Sequence, residues 1–151
     1  MLYSIKRHWY HLSTTLDKDE EYLTPRDFEG GFNRTPAEPL GKRICVSPTI
    51  EQCLTAIPYS LSDVVMIYRT KDKVMATKPE GVFDINVTNE GWLEEPTSFV
   101  RVGYLDFNQI EEALKIKNVI PQAASSSEPK YSGRVLKWWR KARINRFVKK
   151  S

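Results

Sequence analysis

The sequence predicts an α+β fold, a single small domain with a mixed or antiparallel sheet flanked by short helices. Two patterns indicate this fold. Some segments alternate apolar and polar residues, as half-buried strands do, and others place apolar residues at helical spacing. The chain has 151 residues, 40% of them hydrophobic and 28% charged, which suits one domain with its own core. We expect the domain over residues 1–120, a linker over 121–129 and a basic C-terminal segment over 130–151.

The strands are predicted from short runs rich in β-branched and aromatic residues. In chain order they cover residues 9–13, 43–46, 64–68, 82–87 and 98–105. The third run is continuously apolar, which favours a central strand. A polar, turn-prone connection over 17–41 separates the first two strands, and loops of this length are typically lids, binding loops or mobile segments. A turn over 88–92 is expected to present Glu90 and Trp92.

Two helices are predicted within the domain. Ser47 suits an N-cap, and Pro48 suits the first position of a helix that ends before Pro58. Asn108 and Glu111 form a capping box for the second helix. The apolar residues of these helices recur at helical spacing: Ile50, Cys53, Leu54 and Ile57 in the first, and Ile110, Ala113, Leu114 and Ile116 in the second.

The cysteines and the apolar runs point to a cytoplasmic protein. The chain has only two cysteines, Cys45 and Cys53, and two histidines, His8 and His11. Their spacing does not match a zinc site, so we expect two buried reduced thiols and no metal. No apolar run approaches the ~20 residues that span a bilayer, and residues 1–8 lack a secretory apolar region.

Charge is distributed unevenly along the chain. Of the 23 Lys and Arg residues, nine fall in the last 22 positions, where there is no Asp or Glu. The remaining 14 basic residues stand against all 19 acidic ones, so residues 1–129 carry −5 and residues 130–151 carry +9. Such an arrangement is typical of a segment that meets an anionic surface, because a folded domain gains nothing from concentrating like charge.

The C-terminal segment interleaves this charge with aromatic residues, which leaves four alternatives for its role. It could bind nucleic acid, fit an acidic protein groove with its indoles as anchors, lie on an anionic membrane, or pack on its own acidic domain. The membrane is the least favoured partner. The candidate partner-binding residues are Arg134, Lys137, Trp138, Trp139, Arg140, Lys141, Arg143, Arg146 and Phe147.

The apolar residues of this segment do not form one helical stripe. At 100° per residue, Val135, Trp138, Trp139 and Ala142 share one side, whereas Ile144, Phe147 and Val148 lie nearly opposite. We therefore expect either a helix that breaks near residues 143–145 or a helix contacted from both sides.

One constellation points to an alternative function. The motif at residues 10–14, YHLST, is followed by the strand-Ser-helix unit ICVSPTIEQCL at 44–54 and then by Glu90 in a late turn. This order resembles the ADP-ribosyltransferase-like fold over about residues 9–105. The resemblance implies that His11 contacts the nicotinamide ribose of NAD, that Ser47 belongs to the second motif, and that Glu90 is the catalytic carboxylate.

Binding is favoured over catalysis because the chain lacks a Gly-rich phosphate loop, a Gly-x-Ser-x-Gly elbow and a His-Glu-x-x-His pair. The small size, acidic body and basic aromatic end also resemble accessory proteins that phages encode to redirect host machinery. The sequence thus predicts a non-catalytic accessory protein without a cofactor that engages an acidic protein surface or nucleic acid in the cytoplasm. The alternative is an NAD-dependent ADP-ribosyltransferase that uses His11, Ser47 and Glu90.

Overall fold

A computed structural model describes residues 2–27, 41–56, 64–82, 84–114 and 129–151. The strands are β1 (Tyr10–Ser13), β2 (Glu20–Leu23), β3 (Arg26–Asp27), β4 (Lys42–Val46), β5 (Val64–Thr70), β6 (Gly91–Leu93), β7 (Thr97–Asp106) and β8 (Lys149–Lys150). The helices are α1 (Ile50–Ala56), α2 (Ile85–Thr88), α3 (Phe107–Leu114) and α4 (Pro129–Lys141). The predicted α+β class is confirmed.

Two antiparallel sheets form the framework. The larger has the order β1-β5-β7-β2, with β8 added to β7, and the smaller has the order β3-β4-β6. The apolar strand β5 lies between β1 and β7, which confirms its predicted central position. The sheets are joined where Tyr10, at the start of β1, pairs with Ser47, directly after β4.

Two apolar clusters hold these layers together. One contains Trp9, Ile44, Phe99 and other residues between the two sheets. The other contains strand residues such as Val65 together with residues of α1, α3 and the C-terminal segment. Trp139 belongs to this second cluster and is only 1% exposed. The C-terminal segment is therefore part of the folded core.

The predicted strand over 82–87 is wrong. Its last residues form the single turn α2, which ends at Asn89 in a left-handed conformation (φ 47°). Tertiary contacts explain the difference, because the Gln52 amide of α1 donates to the Val87 carbonyl at 2.9 Å, and the Ser132 hydroxyl of α4 donates to Asp84 at 2.9 Å. The alternation over residues 83–87 is five residues long, which is too short to distinguish a helical turn from a strand once neighbours supply such bonds.

Both predicted helix caps are displaced. Thr49, not Ser47, begins α1, since its Oγ1 accepts the Gln52 backbone N–H at 3.2 Å and donates to the Gln52 side chain at 2.9 Å. At α3 the N-cap is Asp106 and not the predicted Asn108, because the Asp106 carboxylate accepts the backbone N–H of Asn108.

The C-terminal segment follows the first of its two predicted conformations. Helix α4 ends at Lys141, Arg143 adopts a left-handed conformation (φ 53°), and a 3₁₀ turn over Ile144–Phe147 leads into β8. Pro129 is the first residue of α4. Residues 115–128, which contain the predicted domain end and most of the predicted linker, lie outside the described residues.

Candidate functional sites

His11 lies where the two sheets part. Beyond the Tyr10–Ser47 bridge, β1 leaves the edge of β4, and the His11 imidazole spans the gap with Nδ1 2.9 Å from the Cys45 carbonyl oxygen. A carbonyl only accepts, so Nδ1 holds the hydrogen and the neutral ring presents a lone pair at Nε2. Within the described residues, Nε2 has no hydrogen-bond partner.

The surroundings of His11 favour this neutral form. Burial lowers the pKa of His11, the bond to the Cys45 carbonyl opposes that shift, and the positive charge of Arg26 adds to it. The ring also packs against Phe99 with centroids 5.7 Å apart. His11 can thus offer a fixed hydrogen-bond acceptor to a ligand at neutral pH.

Ser47 serves the framework through its backbone. It is 2% exposed, and its N–H and carbonyl bond reciprocally with Tyr10 at 3.0 and 2.9 Å. Its side chain meets Cys53, whose thiol also donates to the Tyr10 carbonyl at 3.2 Å. Burial raises the pKa of Cys53 to about 12, only partly opposed by the bonds with Ser47, so this thiol stays protonated and unreactive. Neither cysteine forms a disulfide; Cys53 is buried as expected, whereas Cys45 is half-buried, which differs from the expectation.

Glu90 lies directly before β6 in a hydrogen-bonded turn. Its Oε2 accepts the Trp92 indole N–H at 2.8 Å, and its backbone carbonyl accepts the Tyr3 hydroxyl at 2.6 Å. Burial, and then the charge of Glu90, raises the pKa of Tyr3 to about 12, which keeps the phenol protonated as a donor. The predicted turn that combines a carboxylate with an indole is present, although Trp92 itself lies in β6.

Strand order brings the three sequence-predicted residues onto neighbouring strands. The register pairs Val46 of β4 with Gly91 of β6, so Ser47 and Glu90 flank the end of that ladder. Tyr10 pairs with Ser47 on the other edge, and His11 is the next residue of β1. The row therefore runs from Glu90 through Ser47 to the strand that carries His11.

Sequence reasoning missed one member of this region. Arg43 is 4% exposed, and its guanidinium lies 3.9 Å from the centroid of the Trp92 ring. Trp92 thus bonds a carboxylate at its N–H and faces a cation with its ring, an arrangement that aromatic electrostatics favours. Alternation along β4 places Arg43 on the same face as Cys45, and this was the available signal.

A second region is the outer side of the C-terminal segment, which we call the basic face. Helix α4 buries Ser132, Val135, Leu136 and Trp139 against the domain. The basic face consists of six exposed cations, Arg134, Lys137, Arg140, Lys141, Arg143 and Arg146. Within the described residues, Lys137, Arg140 and Lys141 make no ion pair.

The aromatic candidates divide between core and surface. Trp139 is a core residue whose ring meets Phe107 edge-on at 5.5 Å, so its predicted role as a partner anchor does not fit this conformation. Trp138 is partly exposed beside the basic face and contacts the Trp139 ring at 4.5 Å. Phe147 is also partly exposed, with the Arg146 guanidinium 4.8 Å from its ring centroid.

Metal-ligand clusters and membrane-spanning helices are both absent from the described ranges. Among the described residues no group of three or more His, Cys, Asp or Glu side chains is arranged to hold a metal ion. No helix in the described ranges is long and apolar enough to cross a membrane.

Comparison with known proteins gives no match to a family model, to a curated protein or to a solved structure.

Proposed function

We propose that this protein is a non-catalytic binding or accessory protein that engages an acidic macromolecular partner through the basic face. The observation that carries this proposal is the division of α4 into an apolar buried side and a cationic exposed side. The cations lie on a segment that is already packed against the domain. Binding a partner therefore requires little further ordering of the backbone.

An ordinary structural role accounts for only part of the basic face. Arg140 and Lys141 lie in the last turn of α4, where cations stabilise the negative end of a helix by about 0.3–1 kcal/mol each. Lys137 lies outside that last turn, and Arg143 and Arg146 lie beyond the helix. The excess points to a function outside the fold.

The two free thiols are consistent with action in a reducing compartment. We place the activity in the cytoplasm, and in the host cytoplasm if a phage encodes the chain.

Chromatography on an immobilised polyanion such as heparin tests this proposal. We expect the Arg140→Glu, Arg143→Glu variant to elute at clearly lower salt than the wild type. The matched control is Lys6→Glu, Lys73→Glu, which makes the same change in net charge at exposed lysines outside α4. Equal elution of the two variants would show that net charge alone, and not the basic face, governs binding.

A second candidate is an NAD-dependent ADP-ribosyltransferase-like enzyme. The specific observation in its favour is the strand pairing that brings the backbones of Glu90, Ser47 and His11 near one another, because Val46 pairs with Gly91 and Ser47 pairs with Tyr10. The lone pair at His11 Nε2 supports it, because a ribose hydroxyl could donate to that atom.

Thermal unfolding with and without NAD tests this candidate. NAD should raise the Tm of the wild type, and His11→Ala should remove the rise. His8→Ala is the matched control, since His8 likewise places Nδ1 2.9 Å from a backbone carbonyl, that of Thr70. No rise in the wild type, or an equal rise in the His11→Ala variant, counts against His11 as an NAD ligand.

A further inference from the structure

We infer that the partner of the basic face is nucleic acid, held by its sugar–phosphate backbone without reading of the bases. This inference rests on the proposed binding function and names the partner class. It follows from which side chains of the C-terminal segment are buried in the core and which are exposed at the surface.

The fold buries most of the apolar anchors that an acidic protein groove would need, and leaves Trp138 and Phe147 only partly exposed. Protein interfaces draw most of their affinity from a few aromatic or aliphatic side chains buried at the centre. In this segment Val135, Leu136 and Trp139 already lie in the core, with exposures of 0%, 7% and 1%. What remains outside is mainly charge.

The arrangement of that charge suits a polyphosphate chain. At 100° per residue, Lys137, Arg140 and Lys141 fall within an arc of about 100° on the helix surface. Lys141 lies four positions after Lys137, a rise of about 6 Å along the helix axis. The left-handed turn at Arg143 then carries the chain away from the helix axis while Arg143 and Arg146 remain exposed. The basic face therefore follows the chain past the helix end, as a strip of cations on α4 and on the turn after it.

Such a strip of cations also gains more binding free energy from nucleic acid than from a protein surface. Duplex DNA carries one charge per about 1.7 Å of axis and a condensed layer of counterions, which cations release on binding. Guanidinium groups match phosphate oxygens with two parallel hydrogen bonds. Partly exposed Trp138 lies beside the strip and can pack on a sugar or stack on an unpaired base.

The test is fluorescence anisotropy of the full chain with three labelled probes at 50–200 mM salt. The probes are a 20-nucleotide single strand, the duplex of the same sequence, and poly-L-glutamate as a polymer with protein carboxylates. With three to four phosphates contacted, duplex affinity should fall about 40- to 150-fold over this range. We expect nucleic acid to bind at least tenfold tighter than poly-L-glutamate at every salt concentration.

Variants assign the binding to the basic face. Lys137→Glu, Lys141→Glu should reduce the slope of log affinity against log salt by about two, whereas the Lys6→Glu, Lys73→Glu control should leave it nearly unchanged. Lys137→Gln, Lys141→Gln should give an intermediate affinity, and a wild-type far-ultraviolet circular dichroism spectrum with cooperative unfolding for each variant shows that the fold is retained.

The outcomes separate this inference from the function on which it rests. Poly-L-glutamate bound as tightly as nucleic acid, with the same dependence on Lys137 and Lys141, would overturn the nucleic-acid inference and leave the binding function standing. Binding of no probe, or binding that the basic-face variants do not alter, would overturn both. A tighter single strand that depends on Trp138 would identify unpaired nucleic acid, and a tighter duplex would identify DNA or RNA helices.

Discussion

Replacing Trp139 by alanine should destabilise the whole domain, although the residue lies in the most basic part of the chain. Its indole is 1% exposed and packs edge-on against Phe107 with ring centroids 5.5 Å apart. Truncating a buried aromatic residue to alanine costs about 3–5 kcal/mol. Native domains are stable by about 5–15 kcal/mol, so this one change should remove a large part of the total. For a chain of this size the Tm should fall by roughly 6–20 °C.

Urea unfolding followed by far-ultraviolet circular dichroism measures this loss without depending on the deleted fluorophore. Trp138→Ala is the matched control, because it removes the same side chain from the neighbouring, partly exposed position. We expect that control to lose less than about 2 kcal/mol. Small and equal losses for the two variants would refute the reasoning, since they would mean that α4 is not packed into the core in solution.

Three further predictions follow from local geometry. Gly103→Ala should detach β8 and increase amide exchange at Lys149, because an added Cβ would lie 2.5 Å from the Lys149 carbonyl oxygen; unchanged protection there would contradict the pairing. Asp106→Ala should cost about 1 kcal/mol of unfolding free energy as a lost N-cap, and Asn108→Ala should cost less, a ranking that urea unfolding can check. The folded-state pKa of His11 is lowered from 6.5, so unfolding takes up a proton at mildly acidic pH, and stability should decline as pH falls below about 6.5 until the folded pKa is reached. His11→Gln should flatten this decline, and an identical pH profile in the variant would exclude His11 as its source.

Strand positions were predictable where the residue pattern has one interpretation. The run over 64–68 is continuously apolar and β-branched, and it became the central strand β5. The run over 98–105 alternates for long enough to define a strand, and it became β7. The short run over 82–87 failed because bonds from Gln52 and Ser132, distant in sequence, decide its conformation.

The candidate sites were predictable in residue type but not in environment. The order of His11, Ser47 and Glu90 along the chain is visible in the sequence, whereas their proximity depends on β4 pairing with β6 and on the bridge from Ser47, directly after β4, to Tyr10 of β1. The burial of Arg43 on Trp92 depends on the same pairing. Local patterns do not encode which strands become neighbours, so this part required the structure.

The C-terminal segment shows why a helical projection left two conformations open. Its two apolar groups lie on opposite sides of an ideal helix, and a single continuous helix could bury only one of them. Because α4 ends at Lys141 and the left-handed conformation of Arg143 breaks the helical path, Ile144 reaches the same core cluster as Val135. The break thus converts two opposed stripes into one buried surface, which leaves the cations of both parts facing solvent.

This packing also determines how the proposed functions have to be separated. Helix α4 packs on α1, and in α1 Cys53 contacts both Ser47 and the Tyr10 carbonyl, next to His11. Deleting residues 129–151 would therefore expose the face of α1 that supports the His11–Ser47–Glu90 region. In such a truncated chain, a loss of NAD binding could not be distinguished from a loss of nucleic-acid binding, because both would follow from the disturbed core. Substitutions of exposed side chains avoid this coupling, because Lys137 and Lys141 lie outside the core while Trp139 transmits any change directly to it. The basic-face variants should consequently change polyanion binding without altering any response to NAD, and the His11→Ala variant should leave polyanion binding unchanged. A basic-face variant that lost both activities while remaining folded would show that the two regions form a single site.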